Sequence, residues 1–263
     1  MGRVVLIGDV GGHADQLRWA LSEAGIDGAI PPDVTVIQVG DLVDRGPDSS
    51  GVLKIVSHYL AGQPRQWIQL AGNHEAQYLP GSATFWAERL TDEDAGLLRT
   101  WWKARTMHVA AAVQTADGEE FLVTHAGLTV ECWRKLGGPM TAAGAALLLN
   151  DRPQEMLFSG LFGMNAGPFW AEAGADLYLP WLEYRDLVPF GQIHGHSSIY
   201  RYPTDSWRAA EKVRLRATVD LERRHVNVRI GGRQFTGIDP KHGRDGAPKW
   251  QPLVFSGADV KVP

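Results

Sequence analysis

The sequence predicts an α/β fold built on a largely parallel sheet. Three observations carry this: short apolar runs each halted by glycine, apolar residues at helical spacing between them, and a glycine-flanked polar cluster after each run. Val4 to Ile7, stopped by Gly8, reads as a strand buried on both faces. Leu17, Ala20, Leu21 and Ala24 then recur at helical spacing, and Gly25 closes that helix. Val34 to Val39 is the second strand, stopped by Gly40. After a polar turn with Pro47, Val52, Ile55, Val56 and Leu60 mark the next helix face. Trp67 to Leu70 is the third strand, stopped by Gly72. Strand, helix, strand, helix, strand in this order reads as a right-handed βαβαβ unit.

Downstream the pattern thins. Residues 80–106 read as a helical insert, where Thr91-Asp92-Glu93-Asp94 resembles a capping box ahead of Leu97, Leu98, Trp101 and Trp102. Val109 to Val113 and Phe121 to Thr124 flank Asp117-Gly118, a hairpin turn. Residues 129–185 are rich in Ala, Leu, Gly and Trp and read as short helices and loops. Phe190 to Ile193 is a short strand. Arg214 to Leu221 and His225 to Ile230 alternate apolar and polar residues, as antiparallel strands with one wet face do. The tail from Arg233 reads as loop with one strand at Leu253 to Phe255. No repeat or low-complexity linker is visible, so residues 1–263 are expected to form one domain carrying the inserts 80–106 and 129–185 on the rim of the site.

Composition excludes several classes. Of 263 residues, 44% are hydrophobic and 21% charged, enough for a sizeable core and against global disorder. The 26 Lys+Arg against 30 Asp+Glu leave a formal charge of −4, which argues against generic nucleic-acid binding. A lone cysteine, Cys132, rules out a disulfide within the chain and a Cys-based zinc site, and reads as an inert buried thiol. No run approaches 18 uninterrupted apolar residues, so no membrane span is expected. The first residues run straight into a strand pattern without a signal-peptide layout, so a soluble cytoplasmic setting is expected.

The chemistry sits at strand ends, where α/β sheets bind ligands. Gly8-Asp9-Val10-Gly11-Gly12-His13, Gly40-Asp41-Leu42-Val43-Asp44-Arg45-Gly46 and Gly72-Asn73-His74-Glu75 follow the first three strands. Thr124-His125-Ala126-Gly127 and Ile193-His194-Gly195-His196 follow two later ones. Taken singly, an Asp after a strand is an ordinary turn or helix cap, and a His-Gly pair an ordinary loop. Five such clusters of carboxylate, amide and imidazole, without thiolate, point to a divalent metal site for Mn²⁺, Fe or Zn²⁺.

On these residues the sequence resembles the calcineurin-like metallophosphoesterases, and within them the phosphoprotein-phosphatase and diadenosine-tetraphosphate-hydrolase branch. GDLVDRG at 40–46 and GNHE at 72–75 carry the resemblance most specifically, with GDVGGH, THAG and HGH in matching order. The resemblance implies a four-layer αββα sandwich of mixed sheets with a helical insert, holding two divalent ions, Mn²⁺ first. It implies hydrolysis of a phosphomonoester, phosphoserine or phosphothreonine in proteins included, by direct attack of a metal-bridging hydroxide. Asp9 would bind the first metal and Asp41 would bridge both. Asn73 and His125 would bind the second with one of His194 and His196, the other completing the first shell. His74 would be the general acid, held and kept cationic by Asp44, and Arg45 would grip phosphate. One departure stands out: the family's usual histidine two residues after the first aspartate is Gly11 here, so either His13 replaces it or water fills the shell. The branch's extra phosphate-binding arginine has two candidates, Arg152 and Arg185.

Two further readings stay open: hydrolysis of dinucleoside polyphosphates or other nucleotides, and a catalytically silent binding module of the same fold. The expected partner is a phosphorylated substrate, either a phosphoprotein or a small phosphoester or nucleotide. Ten tryptophans is a high count; Trp101-Trp102, Trp170 and Trp181 read first as core packing and alternatively as the lining of a substrate groove. Arg214, Arg216, Arg223 and Arg224 read as a solvated hairpin face. Asp239-Pro240-Lys241-His242-Gly243 reads as an ordinary turn, with an approach to the metal cleft as the alternative.

Overall fold

The structure, a computed structural model, describes residues 2–81, 84–158 and 167–262. Residues 82–83 of the first expected insert and 159–166 of the second lie outside the described residues. The strands are β1 (Gly2–Ile7), β2 (Val34–Gln38), β3 (Trp67–Leu70), β4 (Met107–His108), β5 (Ala110–Thr115), β6 (Glu120–Thr124), β7 (Gly191–His194), β8 (Tyr200–Arg201), β9 (Ser206–Trp207), β10 (Ala217–Asp220), β11 (His225–Ile230), β12 (Arg233–Gly237) and β13 (Leu253–Val262). The helices are α1 (Ala14–Glu23), α2 (Ser49–Gly62), α3 (Asn73–Ala76), α4 (Asp92–Lys103), α5 (Val130–Lys135), α6 (Ala142–Asp151), α7 (Pro153–Phe158), α8 (Leu179–Glu183) and α9 (Glu211–Arg214), with a π-helix at Ala173–Tyr178.

The βαβαβ unit is present as expected: β1, β2 and β3 run parallel and adjacent, with α1 and α2 as crossovers. The insert helix α4 starts where Thr91 accepts a hydrogen bond from Asp94 N at 3.1 Å, and it buries Leu98, Trp101 and Trp102. Two expectations are corrected. Arg233–Gly237 is a strand, not loop: it pairs parallel to β7 and antiparallel to β11, so its backbone groups are satisfied by the sheet. The strand expected at Leu253 to Phe255 continues to Val262, because it pairs with β1 and then with β5.

Eleven strands form one hydrogen-bonded sheet in the order β10-β11-β12-β7-β6-β5-β13-β1-β2-β3-β4. This sheet is folded over on itself. β6 and β2 are four steps apart in that order, which in a flat sheet means about 19 Å at about 4.8 Å per step. Yet His125, just past β6, donates from Nδ1 to the carbonyl of Val39, just past β2, at 3.0 Å. The two halves therefore face each other, joined along one side by β13. Between them lies an inner core of Val4, Leu6, Ile37, Val39, Ile68, Leu70, Val113, Phe121, Val123 and Ile193. The alternate residues Val5, Ile7, Val34 and Val36 pack outward into a second core with Leu17, Leu21, Val52 and Val56 of α1 and α2. That double burial explains the uninterrupted apolar runs of the first strands. On the other outer face α6 covers β5 and β6. The result is helix, sheet, sheet, helix, with the ends of β1, β2, β3, β6, β7 and β12 gathered at one rim.

Candidate metal centre

The strand-end loops interlock through their backbones. Val10 N and Gly11 N both donate to the Asp41 carbonyl (2.9 and 2.8 Å), and Gly12 N donates to that of Leu42 (2.8 Å). Asp41, Asp44, Arg45 and His196 all hold positive φ, at 55°, 67°, 60° and 61°. Such backbone costs about 1–3 kcal/mol per residue and persists only where its surroundings fix it. Glu75 provides much of that fixing. Its fully buried carboxylate accepts Asp41 N (2.7 Å), Gly72 N (2.8 Å) and Leu42 N (2.8 Å). Burial and the neighbouring Asp41 push its pKa up to about 7. Gln38 ties the first two loops together, donating to the carbonyls of Gly8 (3.1 Å) and Gly40 (2.8 Å). In the sequence Glu75 is only the last residue of the GNHE motif, and the one signal for Gln38 is an amide on an otherwise apolar strand.

Four of the proposed ligands converge. Asn73 Oδ1 lies 3.0 Å from His125 Nε2 and 3.0 Å from His196 Nδ1, and the two ring nitrogens are 3.2 Å apart. His125 Nε2 stands 3.3 Å from Asp41 Oδ1. Ligand atoms of Asp41, His125 and His196 all fall within 4.8 Å of one another. Because His125 Nδ1 donates to Val39, the lone pair sits on Nε2 and faces the cluster, the tautomer a metal requires. Burial disfavours a charged Asp41, but His125, His74, Arg45 and His196 outweigh it and hold the carboxyl well below its ordinary range. Burial lowers the pKa of His125 and takes that of His196 down to about 3, so both rings are neutral. Asp41 Oδ2 is buried without a hydrogen-bond partner among the described residues, with Arg45 Nη2 and His74 Nε2 no nearer than 3.8 and 3.9 Å, a setting a carboxylate oxygen tolerates better with a cation bound.

Asp9 flanks this cluster. The backbone N–H of His196 donates to Asp9 Oδ1 and Oδ2 (3.0 and 3.1 Å). That approach needs a glycine at 195, since a Cβ there would stand 2.0 Å from Asp9 Oδ1. Burial, then Asp239, then Asp41 raise the Asp9 pKa well above its ordinary value. Two expected ligands are elsewhere. His13 sits at the N-terminus of α1, where Nε2 donates to the Gly243 carbonyl at 3.2 Å and the ring packs on His242 at 4.7 Å. His194 has both nitrogens occupied: Nδ1 donates to the Gly195 carbonyl (2.9 Å) and Nε2 accepts from Tyr178 Oη (2.6 Å). No lone pair of His194 remains for a metal.

The 239–243 segment is more than a turn. Asp239 is buried at the end of β12, and its carboxylate takes Lys241 N (2.7 Å) and Lys241 Nζ (3.1 Å). Lys241 Nζ also donates to the His196 carbonyl at 3.3 Å. Arg224 is likewise buried, donating to the Pro240 carbonyl at 2.7 Å, so it anchors this segment and does not face solvent. The residues fit cations on both sides: carboxylate, amide and two imidazoles around Asn73, and carboxylates alone around Asp9.

Next to the cluster runs a hydrogen-bonded chain of side chains. His74 Nδ1 donates to Asp44 Oδ2 at 2.7 Å, and Arg45 Nη2 donates to His74 Nε2 at 3.0 Å. Gln77 (2.6 Å) and Tyr78 (2.9 Å) also donate to Asp44, fixing it. Burial works against a protonated His74, but Asp41 and the Asp44 hydrogen bond outweigh it and raise the pKa. Trp101, Trp102 and Trp181 are core residues, whereas Trp170 lies at the site with Phe85 and Trp86, two residues no sequence motif marks. Arg152 is paired at the surface with Asp151 and Glu155, and Arg185 lines a surface pocket with Thr129 and Glu183.

The calcineurin-like phosphoesterase family matches residues 2–232. Over 166 residues the chain is 30% identical to a symmetrical bis(5'-nucleosyl)-tetraphosphatase of Photorhabdus laumondii, covering 60% of this chain and 56% of that protein. Over 104 residues it is 33% identical to serine/threonine-protein phosphatase 1 of Salmonella typhimurium, covering 35% of this chain and 44% of that protein. The chain thus spans about half the length of the curated relatives it matches. A cold-active protein-tyrosine phosphatase of a psychrophilic Shewanella superposes with a TM-score of 0.50 at 16% identity, over 91% of this chain and 71% of that one, a likeness of fold.

Proposed function

We propose, on the premise that this chain belongs to the calcineurin-like phosphoesterase family, that it is a dimetal hydrolase of phosphomonoesters. The observation that carries this reading is adjacency: the Asp41, Asn73, His125 and His196 donors stand beside the Arg45–His74–Asp44 chain. Asp41, Asn73, His125 and His196 would hold one ion, and Asp9 with Asp41 the other. Divalent ions in these places supply an activated water and offset charge on the phosphoryl oxygens. The oxygen-only donors on the Asp9 side favour Mn²⁺ there over softer ions.

The side chains do the rest. Arg45 turns its guanidinium from His74 to the phosphoryl oxygens, which its planar fork can grip in pairs. Freed of Arg45, His74 takes up a proton on Nε2, which Asp41 and Asp44 favour, and gives it to the leaving oxygen while Asp44 holds Nδ1. His74→Asn should cut kcat on alkyl phosphates by about 10²–10⁴-fold and on p-nitrophenyl phosphate far less, because nitrophenolate leaves without a proton. Equal losses on both substrates would refute the acid role.

A second reading, hydrolysis of dinucleoside polyphosphates, is favoured by the aromatic rings packed around His74 and by the relative named as a bis(5'-nucleosyl)-tetraphosphatase. Product analysis of diadenosine tetraphosphate against a phosphopeptide panel separates the two. Absence of any Mn²⁺-dependent turnover would leave only a binding module.

A further inference from the structure

Asp44, which holds His74, is itself held by two residues that take no part in the chemistry. His74, Gln77 and Tyr78 stand at i, i+3 and i+4 along α3 and the turn that extends it, where Tyr78 N donates to the Glu75 carbonyl at 3.0 Å. Side chains at this spacing share a face. All three reach one carboxylate. His74 Nδ1 and Gln77 Nε2 donate to Asp44 Oδ2 at 2.7 and 2.6 Å, and Tyr78 Oη donates to Asp44 Oδ1 at 2.9 Å. Gln77 and Tyr78 are 4% and 5% exposed, so solvent has little access to either. Burial and Asp44 push the Tyr78 phenol up from its ordinary pKa, so it stays a donor.

The acceptor atoms of both residues are taken by the first insert. Gln77 Oε1 accepts from Trp86 N and from Arg89 Nη1, each at 3.2 Å. Tyr78 Oη accepts from Leu90 N at 3.3 Å. The Arg89 guanidinium also lies 4.6 Å from the centre of the Tyr78 ring, within cation–π range. Gln77 and Tyr78 therefore each accept from residues 86–90 and donate to Asp44. A hydroxyl that accepts one hydrogen bond donates the next more strongly, so such chains reinforce themselves. The result is a continuous path from the insert through Asp44 to His74 Nδ1.

We propose that Gln77 and Tyr78 are positioning residues through which the 86–90 stretch of the insert sets the orientation of Asp44 and so of His74. This deepens the phosphoester-hydrolase reading and rests on it. Without either relay the Asp44 carboxylate is free to turn, and His74 Nε2 loses its aim at the leaving oxygen. That loss falls on substrates whose leaving group needs a proton and spares those whose leaving group does not. A merely structural role would lower turnover of both alike.

The test compares two leaving groups on Mn²⁺-loaded full-length protein. Tyr78→Phe and Gln77→Met should each lower kcat on an alkyl phosphate by about 10- to 100-fold, with KM little changed and p-nitrophenyl phosphate turned over nearly as before. Arg89→Ala, on the exposed side of the path, should show the same selectivity at about 3- to 10-fold. Combined with Gln77→Met it should add less than its own fold-change, because both act through Gln77. Equal losses on the two substrates, or fold-changes that multiply in full, would overturn the proposal. A second measurement needs no turnover. In metal-free protein the proton on His74 Nδ1, identified by its loss in His74→Asn, should give a downfield NMR resonance. In Tyr78→Phe and Gln77→Met that resonance should move upfield and exchange faster with water, with thermal unfolding as the check on folding. An unchanged resonance would overturn the positioning role. A wild-type chain that turns over no phosphoester would sink the hydrolase reading, and the resonance would still decide the positioning.

Discussion

Single atoms decide who belongs to the centre. His125 follows β6 and His194 ends its parallel neighbour β7, yet one ring exposes a lone pair to Asn73 and the other spends both nitrogens on Tyr178 and Gly195. Sequence could place both near the rim but not orient them, because Tyr178 comes from the 129–185 stretch whose pattern is weak. His13 illustrates the same limit: the resemblance leaves open whether it or water replaces the family's histidine, and Gly243, from the other end of the chain, takes its Nε2. Asp9, Asp41, Asn73 and His125 were legible because each follows a strand that its own composition defines. Gly195 gives a test at this scale. Gly195→Ala pushes a methyl group into Asp9 Oδ1, so it should lose about 1–3 kcal/mol in chemical denaturation and weaken Mn²⁺ binding. A variant with unchanged stability and unchanged metal affinity would contradict the packing.

Elements were read well where the hydrophobic pattern was strong. β1, β2 and β3 are buried on both faces and announce themselves as apolar runs. β12 was missed because its sequence, Arg233 to Gly237, has one large apolar residue, Phe235, and owes its strand state to pairing on both edges. The β10–β11 hairpin carries a pH signature. His225, 3% exposed and paired across from Asp220, has its pKa taken down to about 4 by burial, with Asp220 opposing. The folded value lies below the unfolded value of about 6.5, so the folded state prefers neutral His225. Its contribution is fully present above pH 6.5 and is lost as pH falls toward 4, about 2 kcal/mol by pH 5. His225→Gln should therefore lose about 2 kcal/mol less than the wild type between pH 7 and pH 5 in urea unfolding. Parallel pH profiles for the two proteins would contradict this.

The whole molecule is a device for bringing strand ends together. One continuous sheet folds along β13 until loops 187 residues apart share hydrogen bonds, as His196 and Asp9 do. The inner core of Leu6, Ile37, Leu70, Val123 and Ile193 sets the distance between the two halves. The rim that results carries strained backbone, buried charge and a carboxylate oxygen without a hydrogen bond, and a pair of divalent ions would relieve the last two. Anomalous diffraction at the manganese edge from crystals grown with Mn²⁺ tests that most directly. The account predicts two peaks per chain about 3.5–4 Å apart, one against Asp41, Asn73, His125 and His196 and one against Asp9 and Asp41. An empty rim, or manganese found only on surface carboxylates, would contradict it.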